Sequence, residues 1–533
     1  MDSNDWFIYM KLKSFKIKNF RGYRDEVVID FNDMTAIVGR NDIGKSTILE
    51  AMDIFFNEGK GVVPLDDDDF NVVAKRENDK CIRLVAVFTE LPDDIILDDA
   101  ASTNLRDEYL LNVDGNLEVV REITSTTATG QKVKIIANHP NNPECNILLH
   151  KKQSELQKQL EKLGLECDDK RKNTLLRKAI WAHYADSLDC QTIEIEVLSK
   201  DSGIKDLWEK LKFYIPQYSL FQSDRKNADG DDEVQEPLKM AVKTIMNKPE
   251  IRTALDEVAM KVREALQEVS DRTVAKVAEM NPDLANELHP TLPEPKLLKW
   301  PDVFKNISIA GESDIPLNKR GSGVRRLILL NFFRAEAERQ LAAENTRRDS
   351  IIYAIEEPET SQHYEHQQLL VKALLDISIR SNAQVVITTH SSEVVKSIGW
   401  DDIRIVNDNA GVREITLPQT RYLPYNSISE INYLVYGLIS VEYHDELYGY
   451  LHTFSGVNGE YPFDTWLYGH SVPRCKYWNK IKQDGTVESQ SCTLAYYIRN
   501  RIHHPENALN NPFSDDEMKQ SIAEMISVIG SLH

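Results

Sequence analysis

The chain has 533 residues, of which 41% are apolar and 28% are charged. This composition can fill a hydrophobic core, and it excludes a disordered or collagen-like chain. With 64 Lys and Arg against 85 Asp and Glu, the net charge of −21 excludes a protein that coats nucleic acid with its whole surface. Any contact with DNA or RNA must therefore be a local patch.

The sequence also indicates the cellular compartment. No apolar run approaches the roughly 18 to 20 residues that span a bilayer, and the start, MDSNDWFIYM, lacks the basic region of a signal peptide. The six cysteines include no C-x-x-C pair, which predicts reduced thiols rather than a zinc ribbon or a disulfide framework. We therefore expect a cytoplasmic protein that makes no membrane contact.

Strand patterns open the chain and return near residue 300. Apolar and charged residues alternate over 11–31, which predicts two half-buried strands joined through Arg21 and Gly22. Helical spacing follows Lys45. Short apolar runs predict further strands at 34–38, 82–88, 117–123, 304–310, 351–356 and 384–389.

The four aspartates at 66–69 are expected to form a solvated face rather than a metal site.

Composition divides the chain into four parts. Residues 151–180 carry nine Lys or Arg against five Asp or Glu, which predicts an exposed basic helix, either a solvated face or a nucleic-acid contact. The last 117 residues hold 12 of the 20 tyrosines and are predicted to be mainly helical. The predicted parts are a first α/β lobe with the basic insertion at 1–236, a helical insertion at 237–295, a second α/β segment at 296–415 and a Tyr-rich C-terminal domain at 416–533.

A phosphate-loop motif follows the apolar run at 34–38 and matches G-x-x-x-x-G-K-[ST]. Its residues are Gly39, Arg40, Asn41, Asp42, Ile43, Gly44, Lys45 and Ser46, followed by Thr47. The loop N–H groups and the positive end of the next helix favour phosphate oxygens, Lys45 reaches the β and γ phosphates, and the Ser46 hydroxyl ligates Mg²⁺. Asp42 fits only if its carboxylate points outward.

Two later strands end in residues that suit hydrolysis. The strand at 351–356 ends in Glu356 and Glu357, and successive strand residues point to opposite sides. We assign Glu356 to the metal and Glu357 to the attacking water. The next strand ends at His390, where a γ-phosphate sensor would be useful, although a structural histidine is the alternative.

A second anion-binding turn, Gly321, Ser322 and Gly323, lies among four basic residues before an apolar helix. One phosphate chain rarely needs two such turns. We therefore expect this turn to serve a nucleotide that is bound on another copy of the chain.

The order of these elements resembles the ABC-type ATPase heads of the SMC, Rad50 and OLD group. The resemblance implies an α/β P-loop NTPase fold with a helical insertion and a mainly α C-terminal domain, and ATP and Mg²⁺ as cofactors. It also implies a homodimer or higher homo-oligomer in which the signature motif of one subunit covers ATP on the other.

The resemblance assigns a role to each motif. It identifies 39–47 as Walker A, 321–323 as the signature, Glu356 and Glu357 as the Walker B pair, His390 as the switch histidine and Gln222 as the Q-loop glutamine. Two departures stand out: Glu356 replaces the usual Asp, and the signature is Gly-Ser-Gly rather than Ser-Gly-Gly. The longer acid puts fast turnover in doubt.

A narrower resemblance concerns the biological role. No Asp-x-Asp follows His390, which argues against a Toprim nuclease in this chain. The chain length, the short insertion, IEEPETSQH and the Tyr-rich tail with IRNRIHHPEN resemble the PtuA ATPases of Septu anti-phage systems. That resemblance implies a separate HNH nuclease subunit, PtuB. Its retron-associated members imply a further partner, a retron reverse transcriptase with its RNA and DNA.

Two alternatives remain. Arg499 and His504, with His503 adjacent, resemble the R-x-x-x-x-H motif of HEPN ribonucleases, in which a cation steadies the phosphate and an imidazole moves protons. The same residues could instead cap a helix or bind a partner. A role in DNA repair or chromosome organisation is disfavoured by the missing long coiled coil and the negative charge.

Overall fold

The computed structural model divides into two compact units, 1–223 with 339–360 and 367–533, and 224–338 with 361–366. The structure describes residues 10–93, 95–98, 101–198, 202–222, 251, 350–360, 364–380, 383–482 and 484–532. Nearly all of them belong to the first unit. The strand predicted at 304–310 and the signature turn at 321–323 lie outside the described residues. The helical insertion predicted at 237–295 also lies outside them, apart from residue 251.

Sixteen strands lie in the described residues, numbered here in chain order. They are β1 Lys11–Lys18, β2 Val27–Asp30, β3 Met34–Val38, β4 Ile82–Thr89, β5 Ile95–Asp98, β6 Ala101–Thr103, β7 Leu117–Ile123, β8 Gln131–Pro140, β9 Cys190–Glu196, β10 Gln217–Phe221, β11 Ile351–Glu356, β12 Ala383–Thr389, β13 Ile403–Asn409, β14 Val412–Thr416, β15 Arg474–Ile481 and β16 Val487–Thr493.

The α-helices of the described residues are numbered in the same way. They are α1 Lys45–Phe56, α2 Val72–Arg76, α3 Gln153–Lys162, α4 Asn173–His183, α5 Ser202–Leu211, α6 Tyr364–Arg380, α7 Ser392–Lys396, α8 Ile428–Tyr436, α9 Val441–Ser455, α10 Glu460–Gly469, α11 Leu494–His503 and α12 Asp515–Leu532.

An antiparallel sheet of six strands has the order β2-β1-β4-β7-β8-β9. The predicted strand pair at 11–31 is confirmed as β1 and β2, which pair with Ile17 opposite Val27. Burial of alternate β2 residues explains the period-two pattern in its sequence. The runs at 82–88 and 117–123 form β4 and β7, which are neighbours in this sheet.

The second sheet is mainly parallel and has the order β10-β11-β12-β3-β13-β14. Its first five strands run parallel, and β14 folds back against β13. The runs at 34–38, 351–356 and 384–389 supply β3, β11 and most of β12, and every residue of β3 and β12 is buried. Strands covered on both faces need continuous apolar runs, which is why these segments do not alternate.

Helix α1 packs against strands of both sheets. The Phe55 ring meets Phe15 of β1 edge to face at 5.5 Å, and the Phe56 ring stacks on Tyr218 of β10 at 5.3 Å. The helix therefore belongs to one core that includes residues of both sheets. Because α1 begins directly after the phosphate loop, this packing fixes the position of the loop at the carboxyl end of β3.

The basic segment at 151–180 is not one helix, as the sequence predicted, but two. The first, α3, ends before Gly164, which adopts a positive φ of 65°, and the second, α4, begins at Asn173. Apolar residues of both helices, such as Leu156, Leu160 and Ile180, are buried. The intervening glycine ends α3 because it takes the left-handed conformation at little cost.

A buried ion pair anchors α4. Arg177 donates from Nε and Nη2 to the two carboxylate oxygens of Glu108 at 2.8 and 2.9 Å, and both side chains are buried. Glu108→Gln should lower the free energy of unfolding by about 3 to 5 kcal/mol, because it leaves the arginine charge buried without a counter-charge. Urea denaturation of the full chain measures this loss.

The neighbouring exposed pair provides the control for this prediction. Lys178 Nζ lies 3.2 Å from Asp107 Oδ2, with 68% and 40% of the two side chains exposed. Asp107→Asn should cost about 1 kcal/mol or less. Equal losses in the two variants would show that burial of the Glu108 pair is not the cause.

The C-terminal part is mainly helical, as predicted, and contains a core of its own. Helices α9 to α12 contribute buried residues to it, including Tyr443, Phe463, Ile498 and Ile522. The sequence did not predict its hairpin, in which β15 pairs with β16.

No described helix is long and apolar enough to cross a membrane. All six cysteines are free thiols in the structure.

Candidate active site

Four predicted site segments meet at one edge of the parallel sheet. The phosphate loop follows β3, Gln222 follows β10, Glu356 ends β11, and His390 follows β12. The strands end at similar heights, since Glu356 is opposite Thr388 and Thr389 is opposite Val38. The carboxyl ends of neighbouring parallel strands form the usual ligand crevice of such sheets.

The phosphate loop has the backbone that its motif requires. Gly39 and Gly44 have φ values of 152° and 101°, and Gly44 stands at the N-cap of α1. Glycine adopts such conformations with little strain, whereas other residues do not. Asp42 also has a positive φ, of 61°, and its side chain is exposed, in keeping with the expected outward carboxylate.

Lys45 lies buried within this loop. Its Nζ donates to the Gly39 and Arg40 carbonyl oxygens at 3.1 and 2.8 Å. Burial lowers the pKa of its amine, while the nearby carboxylates of Glu357 and Glu359 act in the opposite direction. The amine is therefore held beside the loop, where the γ-phosphate end of a nucleotide would lie.

Ser46 and Glu356 come together from opposite ends of the sequence. The Ser46 hydroxyl donates to Glu356 Oε1. A hydroxyl and a carboxylate are the hard oxygen ligands that Mg²⁺ takes, together with waters and phosphate oxygens. No group of three or more His, Cys, Asp or Glu among the described residues could hold a metal by itself. The pair therefore fits a metal that is bound jointly with a phosphate chain.

Glu357 adopts an unusual backbone conformation beside His390. Its φ is 40°, and its N–H donates to the Thr388 carbonyl oxygen at 3.0 Å. His390 Nδ1 lies 3.1 Å from Glu357 Oε1. A positive φ in a non-glycine residue costs of order 1 kcal/mol, and here it coincides with the side-chain contact between the two hydrolysis candidates.

Glu359 belongs to the same site, although the sequence reasoning missed it. Its Oε1 accepts from the Thr389 hydroxyl at 2.6 Å and from the His390 N–H at 3.2 Å. Its Oε2 is buried and has no hydrogen-bond partner among the described residues. The run Glu-Glu-Pro-Glu was the available indication, since it places a third carboxylate just after the Walker B pair.

The segment after β12 also contacts the C-terminal part. The Ser392 hydroxyl of α7 donates to Asn432 Oδ1 of α8. Burial and the negative charge of Glu359 raise the pKa of Tyr436, the last residue of α8. One helix of the C-terminal part thus borders the loop that carries His390.

Gln222 contacts Glu50 of α1. Its Nε2 donates to Glu50 Oε1 at 2.9 Å, and Glu50 also pairs with Arg21. Burial raises the pKa of Glu50, and the charge of Arg21 opposes this effect. Neither Glu50 nor Arg21 was recognised from the sequence as a neighbour of the site.

The run at 66–69 is only partly the solvated face that was expected. Asp66, Asp67 and Asp68 are exposed, but Asp69 is 2% exposed and accepts from Arg21 Nε at 2.8 Å. Asp69 therefore orients the arginine that pairs with Glu50.

The residues of the R-x-x-x-x-H motif each lie beside a different carboxylate. Arg499 Nη2 is 3.0 Å from Glu460 Oε1, and His503 Nε2 is 3.1 Å from Asp445 Oδ2. His504 Nδ1 is 3.4 Å from the exposed Glu506. Arg499 and His503 are one helical turn apart on α11 and therefore share a face.

A phosphate loop at a helix N-terminus, a hydroxyl–carboxylate pair and a glutamate beside a histidine together define a P-loop ATPase site. The sequence matches the AAA ATPase domain family over residues 10–395, and the chain belongs to that family.

Solved structures of SMC heads are also similar. An SMC head bound to the C-winged helix domain of ScpA is 14% identical, with a TM-score of 0.36 over 76% of this chain and 97% of its own. The SMC head domain from Thermotoga maritima is 14% identical and has a TM-score of 0.30; the match covers 77% of this chain and 100% of that structure. A third structure, an SMC head domain with an extended coiled coil derived from Pyrococcus furiosus, is 13% identical and has a TM-score of 0.35. The match covers 76% of this chain and 96% of that structure. The family assignment rests on the match over 10–395.

Proposed function

We propose that this chain binds and hydrolyses ATP as the ABC/SMC-like ATPase subunit of a bacterial anti-phage defence system of the Septu or retron type, where it controls a separate HNH nuclease. The observation that carries the ATPase part is the convergence of the Ser46–Glu356 and Glu357–His390 pairs beside Lys45. The defence part rests on the resemblance of the motifs and the Tyr-rich tail to PtuA ATPases.

The chain's own residues divide the work of hydrolysis. The loop N–H groups and Lys45 bind the phosphate chain, and Ser46 and Glu356 hold Mg²⁺. When bound, Mg²⁺ neutralises charge on the phosphate oxygens. The Glu357 carboxylate accepts a proton from the attacking water, and His390 orients that carboxylate through Nδ1. Gln222, which follows β10, is held in place by its hydrogen bond to Glu50 and borders the site from that side.

The turn at Gly321 to Gly323 is proposed to cover ATP on a second copy of the chain. Ser322→Arg should abolish ATP-dependent dimerisation while nucleotide affinity of the monomer stays near normal. Light scattering with and without ATP, beside a titration of a fluorescent nucleotide, measures both. An equal loss of nucleotide binding by the monomer would contradict the arrangement in trans.

A separate nuclease needs a docking surface, and the C-terminal part is the candidate. Several large aromatic side chains there are exposed, namely Tyr425, Phe454, Tyr461, Tyr468 and Tyr477. Tyrosine offers a large contact area at a small entropy cost, and aromatic residues are enriched in interfaces. A retron reverse transcriptase with its RNA and DNA is a further proposed partner.

The partner model is tested with purified components. The chain alone, with ATP and Mg²⁺, should turn over ATP and leave DNA and total tRNA intact. Cleavage should begin only when an HNH subunit encoded beside it is added. A chain that shows no ATPase activity in any of these mixtures would remove the basis of the proposal.

An intrinsic ribonuclease is the second candidate, and one contact favours it. Asp445 lies against His503 Nε2, an arrangement that orients an imidazole for proton transfer. Two double variants test it: Arg499→Ala combined with His504→Ala, and Arg499→Ala combined with His503→Ala. If the chain alone cleaves tRNA and either double variant abolishes the cleavage, this candidate replaces the partner model.

A further inference from the structure

The hairpin of β13 and β14 lies directly beside the phosphate loop. Strand β13 pairs with β3 through Ile405 and Val38, and β14 returns with Val412 opposite Asn409. An idealised Cβ on Gly39 would lie 2.8 Å from the Val406 carbonyl oxygen. The hairpin therefore contacts the first residue of the loop.

One side chain of this hairpin, Arg413, reaches the amino end of α1. An idealised Cβ on Gly44 would lie 2.6 Å from its Nη1, and one on Gly22 would lie 1.8 Å from the same atom. The guanidinium lies 5.2 Å from the centre of the Tyr23 ring, and the Tyr23 hydroxyl donates to the Gly44 carbonyl oxygen at 3.0 Å. Two glycines and a buried tyrosine thus surround this guanidinium group.

The position is electrostatically unfavourable for a cation without an anion. The amino end of a helix carries a partial positive charge, which repels a guanidinium. In the part of the chain that the structure describes, no carboxylate pairs with Arg413, and its guanidinium lies over the Tyr23 ring. By contrast, Arg21 nearby has both Glu50 and Asp69.

We propose that Arg413 binds a phosphate oxygen of the nucleotide held by the phosphate loop, at the α or β position. The sheet order supports this position, because β11 and β12, with Glu357 and His390, flank one side of β3 and the hairpin flanks the other. Arg413 therefore lies away from the end where hydrolysis takes place. The inference rests on the proposed nucleotide binding and adds a residue to it that none of the motifs contains.

The test compares ADP with a non-hydrolysable ATP analogue on the full chain. Arg413→Gln should weaken both by about tenfold or more, since a hydrogen bond to a charged group is lost. Arg413→Lys should retain part of the affinity, and the slope of affinity against salt should be shallower for Arg413→Gln than for the parent chain. The melting temperature without nucleotide should stay unchanged or rise, because a cation leaves the positive end of α1.

Two control variants accompany it. Glu414→Gln alters an exposed charge on the same strand, and Arg171→Gln removes an arginine side chain that is 86% exposed. Both should bind nucleotide like the parent chain.

The outcomes separate the two proposals. Parent-like affinity of Arg413→Gln for both nucleotides, or a lower melting temperature with unchanged affinity, overturns the role of Arg413 and leaves nucleotide binding intact. A loss confined to the ATP analogue overturns the α or β position. Failure of the parent chain to bind either nucleotide overturns the proposed function itself.

Discussion

Glu357→Gln should bind ATP with near-normal affinity and hydrolyse it at least about a hundredfold more slowly, because the amide cannot accept a proton from the attacking water. The side chain keeps its size, so the contact with His390 at 3.1 Å and the strained backbone at 357 need not change. Phosphate release under saturating ATP gives the rate, and a nucleotide titration gives the affinity.

Glu356→Gln is the matched comparison for this prediction. Glu356 accepts a hydrogen bond from the Ser46 hydroxyl, so its loss should weaken Mg²⁺-dependent binding more than the chemical step. If Glu356→Gln stops hydrolysis at full binding while Glu357→Gln turns over normally, the two roles are exchanged.

Lys45→Ala should lower nucleotide affinity by about a hundredfold, because it removes a charge-assisted donor to the phosphate chain. Without nucleotide the variant loses the two hydrogen bonds that Lys45 Nζ donates to loop carbonyl oxygens. Isothermal titration with ADP and with ATP measures the affinity, and circular dichroism verifies the fold.

Lys60→Ala serves as the control for Lys45→Ala, because Lys60 is exposed beyond the carboxyl end of α1. Its affinity should match that of the parent chain. A comparable loss in both variants would point to a general charge effect rather than to the buried amine.

The core of the site could be predicted from the sequence because each part is local. The phosphate loop, β3 and α1 are adjacent in the chain, and the loop pattern itself demands glycine at positions 39 and 44. Continuous apolar runs fixed the positions of β11 and β12, and parallel strands bring their carboxyl ends to one edge. The meeting of Ser46 with Glu356 follows from that rule alone.

What could not be predicted depends on contacts between distant segments. Arg21 and Asp69 are 48 positions apart, and Glu108 and Arg177 are 69 apart, so no local pattern indicates either pair. The two-helix structure of 151–180 depends on apolar residues that are buried against the rest of the fold. The charge of that segment indicates only its basic residues and does not indicate which apolar residues are buried.

The contact of α7 with α8 limits how this chain can be divided. Composition changes near residue 416, yet the Ser392–Asn432 bond and the burial of Tyr436 near Glu359 cross that point. A chimera that exchanged the tail at 416 would put a foreign α8 against the loop that carries His390. A junction that leaves these contacts intact therefore lies beyond α8, and recombination between relatives should preserve 392–436 as one inherited block.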